Sequence, residues 1–301
     1  MNKGEFENYL KAGKIASKVK KETKNFIKKD LSLIKIAEFI EEKIKKEDGN
    51  LAFPVNLSLN EIAAHYTPSL NDETKASGLL KIDFGVEIEG FIADLAFSLD
   101  LTEEKKYQKM INLNEEILKK TIASLDYESK VCDIGEKISE FLNEKEFKII
   151  KNLTGHSLSK YQIHSDPPIP NTKNNCKIPL KEKAIAIEPF LTKGVGEVIE
   201  GKESEIFMLI DENKKPRDIE ARKLLDFIKK EYKTKPFCKR WLEKKGFKKI
   251  YLSFLVREKI IYNFPILIEK SKSPVSQAEE TLIFFDGRKI LTTNKDFDFH
   301  T

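Results

Sequence analysis

The sequence predicts a mixed α/β protein, in which amphipathic helices precede and follow β-rich segments. From Phe6 to Lys46, apolar residues recur near helical spacing among Lys and Glu, and the pattern stops at Asp48–Gly49. The run LLKIDFGVEIEGFIADLAFSLDL then contains two β-rich stretches separated by a turn around Glu87–Gly90. A helical block from about Arg217 to Tyr262 lies between further strands. These three observations favour a chain built from packed helices and antiparallel strands.

The first half of the chain divides into two helices, an irregular segment and a hairpin. A break near Asp30 separates the two helices, and LAFPVNLSLNEIAAHYTPSL is predicted to be irregular, with a short helix from Ser58 or Asn60. The hairpin follows, and residues 103–125 and 133–146 return to helical periodicity. The stretch after them is predicted as strand and loop, which begins extended and breaks at Gly155 and at the prolines of 167–170.

The second half begins with AIAIEPFLTKG, a buried strand that ends at Pro189. Three short helices in succession are predicted, over ARKLLDFIKKEY, KPFCKRWLEKKG and YLSFLVREKIIY. Strands resume at PILIEK, QAEETLIFFD and RKILTT. A helical block between strands is typical of an inserted subdomain, which we place at residues 217–262.

Composition excludes several classes of protein. The 301 residues include 54 Lys and Arg and 49 Asp and Glu. The net charge of +5 is small and spread through the chain, which is not the charge pattern of a DNA-binding protein. The three cysteines form no CxxC pair, which fits a reducing cytoplasm and argues against a structural zinc site. Because there is neither an apolar signal region nor a run of 18 apolar residues, we expect no secretion and no membrane.

Titratable residues cluster in the irregular segments and interrupt the apolar strands. Of four histidines, three lie in the irregular segments, at His65, His156 and His164, whereas His300 stands near the C-terminus. A single histidine of this kind is more often a hydrogen-bonded core or loop residue than a site residue. Asp83 and Asp94 each interrupt an apolar strand of the hairpin, and hairpin geometry can place them face to face. A turn-capping role explains one such aspartate, but not two.

The same pattern recurs in the second half of the chain. Glu188 ends an apolar strand, and SQAEETLIFF offers Glu279 or Glu280. Buried acids in several strands indicate a common cation. Carboxylates with one or two imidazoles suit Mn, Fe, Co or Zn, and bridging carboxylates hold two such ions in hydrolytic enzymes. Under period-two alternation Glu279 shares a strand face with Gln277 and Thr281, which favours Glu279 over Glu280.

Five segments of the chain resemble those of a known family, namely FPVNLSLNEIAAHYTP, KIDFGVEIEGFIADLAFSL, NLTGHSLSKYQIHSDPPIPN, AIAIEPFLTKGVGEV and SQAEETLI. Together they resemble the type II methionine aminopeptidases of archaea and eukaryotes. The resemblance runs in order through most of the chain. It implies the pita-bread α/β fold, in which two related halves form a curved antiparallel sheet with helices outside. It also implies one catalytic domain over residues 1–301, in which 217–262 is the helical insertion of type II enzymes.

The resemblance implies five ligands for two divalent ions, namely Asp83, Asp94, His156, Glu188 and Glu279. Asp94 and Glu279 would bridge the ions, Asp83 would hold one, and His156 and Glu188 would hold the other. Glu188 would accept the proton of the attacking water, His164 would stabilise the oxyanion, and His65 would contact or protonate the leaving nitrogen. The family has His where this chain has Glu280, which is the one departure near the metals.

The implied reaction removes an N-terminal methionine from nascent proteins whose second residue is small. Phe53, Ile163, Phe190 and Phe264 match the positions that form the methionine pocket, and each of them reads equally as ordinary core. The family implies a cytoplasmic monomer. Basic helix faces offer a ribosome contact, although a solvated surface explains the same lysines.

Three other readings are compatible with parts of this pattern. A catalytically inactive homologue would act as a binding or RNA-associated module, but all of the ligand positions here are acidic or His. An Xaa-Pro-cleaving enzyme would have an additional N-terminal domain and different loop motifs. A type I enzyme lacks the insertion that the long interval between Glu188 and Glu279 accommodates.

Overall fold

A computed structural model describes residues 1–142 and 146–293 and confirms a mixed architecture of helices and antiparallel sheets. His300 and residues 143–145 of the predicted helix 133–146 lie outside the described residues. The helices of the described part are α1 (Lys3–Phe26), α2 (Leu33–Lys46), α3 (Gln108–Ser124), α4 (Val131–Phe141), α5 (Ile219–Glu231), α6 (Lys239–Lys244) and α7 (Lys249–Arg257).

The strands divide between an N-terminal and a C-terminal set. The first eight are β1 (Asn50–Leu51), β2 (Asn56–Leu59), β3 (Ile62–Ala64), β4 (Leu79–Ile88), β5 (Phe91–Asp100), β6 (Lys148–Ile149), β7 (Thr154–Ser159) and β8 (Gln162–Pro170). The others are β9 (Ala184–Ile187), β10 (Phe190–Thr192), β11 (Val198–Leu209), β12 (Phe237–Cys238), β13 (Ile261–Glu269), β14 (Val275–Gln277), β15 (Glu280–Phe285) and β16 (Arg288–Leu291).

The two N-terminal helices cover one face of the β4–β5 hairpin, as the apolar periodicity predicts. Asn2 and Glu5 form a capping box that satisfies the first turn of α1. Asp30, at φ +67°, lies in the break between α1 and α2. Their apolar faces bury a common core, for which each fully buried aliphatic side chain contributes about 1.5–3 kcal/mol. This core includes Val19, Ile36, Ile40, Ile44, Ile82, Phe84, Leu95 and Phe97.

The described strands pair in antiparallel fashion and form four small sheets. One sheet contains β1, β4 and β2 with β5 on the other side of β4, and the largest has the order β16-β15-β9-β7-β8. The other two have the orders β14-β10-β6 and β12-β11-β13-β3. Helices α3 and α4 pack on the outer face of the largest sheet, where Leu118, Ile134, Ile185, Ile187 and Leu282 share one cluster.

The short helix predicted from Ser58 or Asn60 is wrong, because this segment forms the strands β2 and β3, which a turn at Asn60 joins. Leu57 pairs with Ile82 of β4, and Asn60 adopts φ +47° at the turn. The Asn60 side chain also accepts a hydrogen bond from Leu79 N at 3.0 Å. Pairing with a distant strand thus outweighs the local helical preference of the segment.

The breaks predicted at Gly155 and at the proline cluster are also wrong, since β7 and β8 run through them. A Cβ on Gly155 would lie 2.3 Å from the carbonyl oxygen of Ala186, so glycine allows β7 and β9 to approach closely beside His156. The prolines of 167–170 are tolerated because β8 is the edge strand of its sheet.

The three helices predicted in the second half are present between β11 and β13. The last predicted segment is too long, since α7 ends at Arg257 and a turn with Lys259 at φ +53° leads into β13 at Ile261. The helices pack on one another and on the ends of these strands around Leu224, Ile228, Phe237, Leu242 and Leu255. None of the described helices has the length and apolarity to cross a membrane.

Candidate metal centre

The centre forms along a seam that joins the β4–β5 hairpin to the strands of the C-terminal half. Glu279 N donates to Ala96 O at 3.0 Å, so β5 pairs with the segment between β14 and β15. On either side of this bridge, Thr281 Oγ1 donates to Asp94 O at 2.8 Å and Ser98 Oγ donates to Gln277 O at 2.8 Å. The seam therefore brings acids from distant parts of the chain to one place.

Asp83 and Asp94 share a face of the hairpin, but they do not lie directly opposite one another. The two-residue turn at Glu89–Gly90 sets Asp83 opposite Ala96 and Asp94 opposite Gly85. The expectation of a face-to-face pair is therefore corrected to a diagonal one. Diagonal neighbours are more widely spaced than direct partners, at about 7–8 Å between backbones, which leaves room between the carboxylates.

His156 lies in β7, whereas Glu188 directly follows β9 and Glu279 directly precedes β15, and these three strands are neighbours in the largest sheet. His156 of β7 and Thr281 of β15 both pair with Ala186 of β9. In the pairing of β15 with β9, Thr281 is opposite Ala186. Extending this pairing by two residues places Glu279 opposite Glu188, on the same face of the sheet as Thr281.

The distances show that all five predicted ligands converge. His156 Nε2 lies 3.6 Å from Asp94 Oδ2, 3.7 Å from Glu188 Oε1 and 3.9 Å from Glu279 Oε1. Asp94, His156 and Glu279 each offer a ligand atom within 4.8 Å of the others. Asp83 joins the group through Gln277, whose Nε2 lies 3.4 Å from carboxylate oxygens of Asp83, Glu188 and Glu279.

Glu280 points away from this cluster, as strand alternation predicts. Its Oε1 accepts a hydrogen bond from Lys20 Nζ of α1 at 2.7 Å, and its side chain is 9% exposed. Glu280 is thus an attachment point for α1 on the reverse face of the strand.

In the absence of a cation, burial raises the pKa values of the acids of the centre. It raises the pKa of Asp83 to about 7, even though part of this side chain faces the cavity. Burial and the neighbouring carboxylates raise the pKa values of Asp94, Glu188 and Glu279. Burial first, and His164 second, lower the pKa of His156, so the imidazole is neutral and able to bind a metal.

The donor set fits divalent cations. Within the described residues, Asp83 Oδ1, Asp94 Oδ1 and Glu279 Oε1 are buried without a hydrogen-bond partner. Leaving several acceptors unpaired in the same place is costly, and a shared cation would satisfy them together. Four carboxylates with one neutral imidazole and no thiolate suit first-row divalent ions.

A cavity of about 400 Å³ opens above the centre and has an apolar wall. All four predicted pocket residues line it, namely Phe53, Ile163, Phe190 and Phe264. Gly85 makes room for the Phe53 ring, because a Cβ at this position would lie 2.5 Å from Phe53 Cε1.

His65 and His164 line the same cavity. His65 Nδ1 lies 3.0 Å from Pro265 O, and since a carbonyl only accepts, Nδ1 carries the proton and donates. Burial lowers the pKa of His65. The neutral ring therefore has Nε2 as an acceptor. The ring of His164 packs edge-on against His156 at 4.6 Å between centroids. Desolvation by the surrounding protein lowers the pKa of His164, and the charge of His65 lowers it further. The side chain of His164 is nevertheless exposed to the cavity.

Several residues around the centre and its cavity were not singled out from the sequence, among them Asn56, Pro236 and Gln277. Pro236, which precedes β12, lines the cavity beside the predicted pocket residues. Asn56 lines it from β2. Gln277 joins three of the acids, and its place on the Glu279 face was the one signal that pointed to it. Nothing local marked Asn56 or Pro236, because distant pairings bring them to the site.

Comparison with known proteins identifies the group to which this architecture belongs. The model of metallopeptidase family M24 matches residues 7–211. The chain belongs to metallopeptidase family M24. Within the family, it is 38% identical to the methionine aminopeptidase of Methanocaldococcus jannaschii over 293 residues, which cover 96% of this chain and 98% of that protein. The resemblance to type II enzymes is thus confirmed over nearly the whole length.

Solved structures of lower identity support the fold. A thermophilic Arx1 has a TM-score of 0.80 at 17% identity and is matched over 97% of this chain and 91% of its own. The methionine aminopeptidase of Thermotoga maritima has a TM-score of 0.69 at 18% identity, with 98% of both chains covered. At such identities the likeness shows the fold alone, which is the pita-bread fold expected from the motifs.

Proposed function

We propose that this M24 peptidase is a methionine aminopeptidase, which removes the N-terminal methionine of nascent proteins when the second residue is small. The observation that carries the proposal is the convergence of four carboxylates and one imidazole at the floor of an apolar-walled cavity. The identity to archaeal methionine aminopeptidases supports the same activity. The proposed reaction takes place in the cytoplasm, and monomeric state and ribosome contact remain predictions.

Two divalent ions, either Mn, Fe, Co or Zn, are proposed to bind the five converging residues. Asp83, Asp94, His156, Glu188 and Glu279 would together supply the ligands that hold the ions. When bound, such ions lower the pKa of water from 15.7 towards about 7 and polarise the scissile carbonyl. The orphaned oxygens of Asp83, Asp94 and Glu279 support this ligand set.

Glu188 is proposed to accept the proton of the attacking water. In the metal-free protein, burial and the charges of Asp83 and Asp94 raise the pKa of Glu188. Its Oε1 lies 3.7 Å from His156 Nε2 and its Oε2 lies 3.4 Å from Gln277 Nε2. The carboxyl is therefore held at the centre, where it can later return the proton to the leaving amine.

The two cavity histidines are proposed to contact the reacting peptide group. His164 would donate a hydrogen bond to the oxyanion that forms at the carbonyl. His65 would accept a hydrogen bond from the scissile amide N–H at Nε2, because its Nδ1 proton is committed to Pro265 O. Of the two sequence-based roles for His65, the structure therefore favours contact over protonation.

The cavity wall supports selection of methionine. Phe53 and Ile163 are 7% and 4% exposed and Phe190 is 2% exposed, while Phe264 is half-buried and packs at 5.2 Å on His65. An unbranched thioether adapts well to a pocket of aromatic and aliphatic groups. Since the cavity floor is the metal centre, a side chain in this pocket would bring the adjoining carbonyl to the reacting groups.

The test is mass-spectrometric cleavage of a Met-Ala-Ser peptide by metal-stripped protein, with and without added Mn, Fe or Co. An Ala-Pro peptide serves as the control substrate. We expect metal-dependent loss of methionine alone, and an Asp94→Ala variant is expected to lose both metal loading and activity while it keeps its circular dichroism. Cleavage of neither peptide by protein that binds two ions would contradict the proposal and favour a binding module.

A further inference from the structure

Asn56 is the direct partner of Asp83 in the pairing of β2 with β4. Side chains of directly opposed residues project from the same face of a sheet. Asp83 projects into the metal centre on this face, and Asn56 lines the cavity beside it. The strand pairing therefore sets a neutral amide next to Asp83, where Asn56 is only 5% exposed.

The amide of Asn56 has a determined orientation. Its Nδ2 donates to Pro54 O at 3.0 Å, and because a carbonyl oxygen only accepts, the NH₂ group must face Pro54. Oδ1 is the other end of the amide. It is buried and has no hydrogen-bond partner in the described part of the chain. An unpaired buried acceptor beside a binding cavity is costly unless a ligand satisfies it.

The other asparagine that lines the cavity provides an internal comparison. Asn152 Nδ2 donates to Val198 O at 2.8 Å, and Asn152 Oδ1 accepts from Val198 N at 2.9 Å. Both ends of that amide are committed to the backbone, so Asn152 has a structural role. Asn56 differs because one end of its amide is held and the other end is free.

An aminopeptidase must recognise a free α-amino group, which is a hydrogen-bond donor and needs an acceptor. In the proposed function the carboxylates of the centre are committed to cations. We propose that Asn56 Oδ1 accepts a hydrogen bond from the α-amino group of the substrate and so positions its N-terminus, an inference that rests on the proposed function. Phe53 lines the methionine pocket three residues earlier, so one segment holds both the side chain and the amine of the first residue.

The test measures the contribution of the amine itself. Binding of L-methionine and of its des-amino analogue, 4-(methylthio)butanoic acid, is compared by calorimetry in manganese-loaded protein. In Asn56→Ala, the preference for methionine over the analogue is expected to fall about tenfold, while the affinity for the analogue stays within about twofold. KM for Met-Ala-Ser should rise about tenfold with kcat nearly unchanged, because the contact is present in both bound states.

Two further Asn56 variants and one neighbouring variant separate this role from a structural one. Asn56→Ser is too short to reach the amine and should behave as Asn56→Ala does, whereas Asn56→Asp retains an acceptor and should keep the preference. Ser58→Ala is the matched control, since Ser58 lies two residues along the same strand and face, opposite Lys81. It should behave as the unaltered protein does.

An unchanged preference in folded, metal-loaded Asn56→Ala or Asn56→Ser would overturn the inference. An equal loss of affinity for both compounds would overturn it too, because that result describes a structural residue. Failure of the unaltered protein to cleave Met-Ala-Ser would instead contradict the proposed function. The two failures are thus distinguishable.

Discussion

Replacing Asp83 by Asn should make the metal-free protein more stable at neutral pH, although the substitution removes a proposed ligand. Asn has the same shape, and its Oδ1 can still accept from Gln277 Nε2, which lies 3.4 Å from the carboxylate. Burial raises the pKa of Asp83 from 3.8 to about 7. The folded protein therefore binds a proton that the unfolded chain has released.

The sign and size of the effect follow from proton linkage. Between about pH 4 and pH 7 the folded state binds more protons at Asp83 than the unfolded state, so this contribution to the free energy of unfolding is lost as pH rises. With pKa values of 3.8 unfolded and about 7 folded, the loss from pH 5 to pH 8 is on the order of 2–3 kcal/mol. The amide introduced by Asp83→Asn does not titrate, so the variant should gain this amount relative to the unaltered protein.

Urea denaturation in the presence of a chelator at pH 5, 6, 7 and 8 measures the difference. A matched control is Asp100→Asn on the same hairpin. Burial alone would raise the pKa of Asp100, but hydrogen bonds from Thr102 and Tyr107 outweigh it and hold the pKa below its ordinary value. Asp100 is ionised in both the folded and the unfolded state from pH 5 upwards, so the stability difference of this control should stay constant between pH 5 and pH 8.

Adding manganese should reverse the order for Asp83→Asn at neutral pH. The unaltered protein would gain stability from bound metal, and the variant would gain much less. A stability difference between the unaltered metal-free protein and Asp83→Asn that does not vary with pH would refute the reasoning, because Asp83 would then titrate alike in the folded and unfolded states.

Two further substitutions probe the surroundings of the centre. Gln277→Ala should lower manganese affinity about 10- to 100-fold, since Gln277 Nε2 lies 3.4 Å from three of the acids and orients them. Competition with a chelator measures the affinity, and an unchanged value would contradict this role of Gln277. Glu280→Gln should lower the free energy of unfolding by about 1–2 kcal/mol, because it removes the charged partner of Lys20 in a half-buried pair at 2.7 Å. Urea denaturation measures the loss, and Lys20→Met in the Glu280→Gln background should then cost little more.

Local patterns in the sequence were sufficient for the helices and for the strands that carry the acids. Asp83 and Asp94 stood out because each interrupts an apolar strand, and alternation along the last strands assigned Glu279 and Glu280 to opposite faces. The structure confirms that geometry, since Glu279 lies 3.9 Å from His156 Nε2 and Glu280 contacts Lys20. Period-two alternation is a property of the extended backbone itself, and it therefore survives in any tertiary context.

Turn residues misled the sequence interpretation where a distant strand supplied the pairing. Gly155 lies inside β7 because glycine permits close contact with Ala186, and Asn60 forms the turn between β2 and β3 in place of starting a helix. Glycine and asparagine favour turns in a short window of sequence. Their role inside a sheet depends on the strand that packs against them.

By itself, the sequence determined the family, the mixed architecture and the residue types of the centre, because apolar periodicity and acidic interruptions are local features of the chain. Only the tertiary structure decided that Asp83 and Asp94 are diagonal, that Gln277 joins three acids, and that Asn56 lies opposite Asp83. These relations depend on strand register and on the seam between β5 and the C-terminal strands. Register is set by turn geometry and by the packing of residues far apart in sequence, so no local pattern contains it.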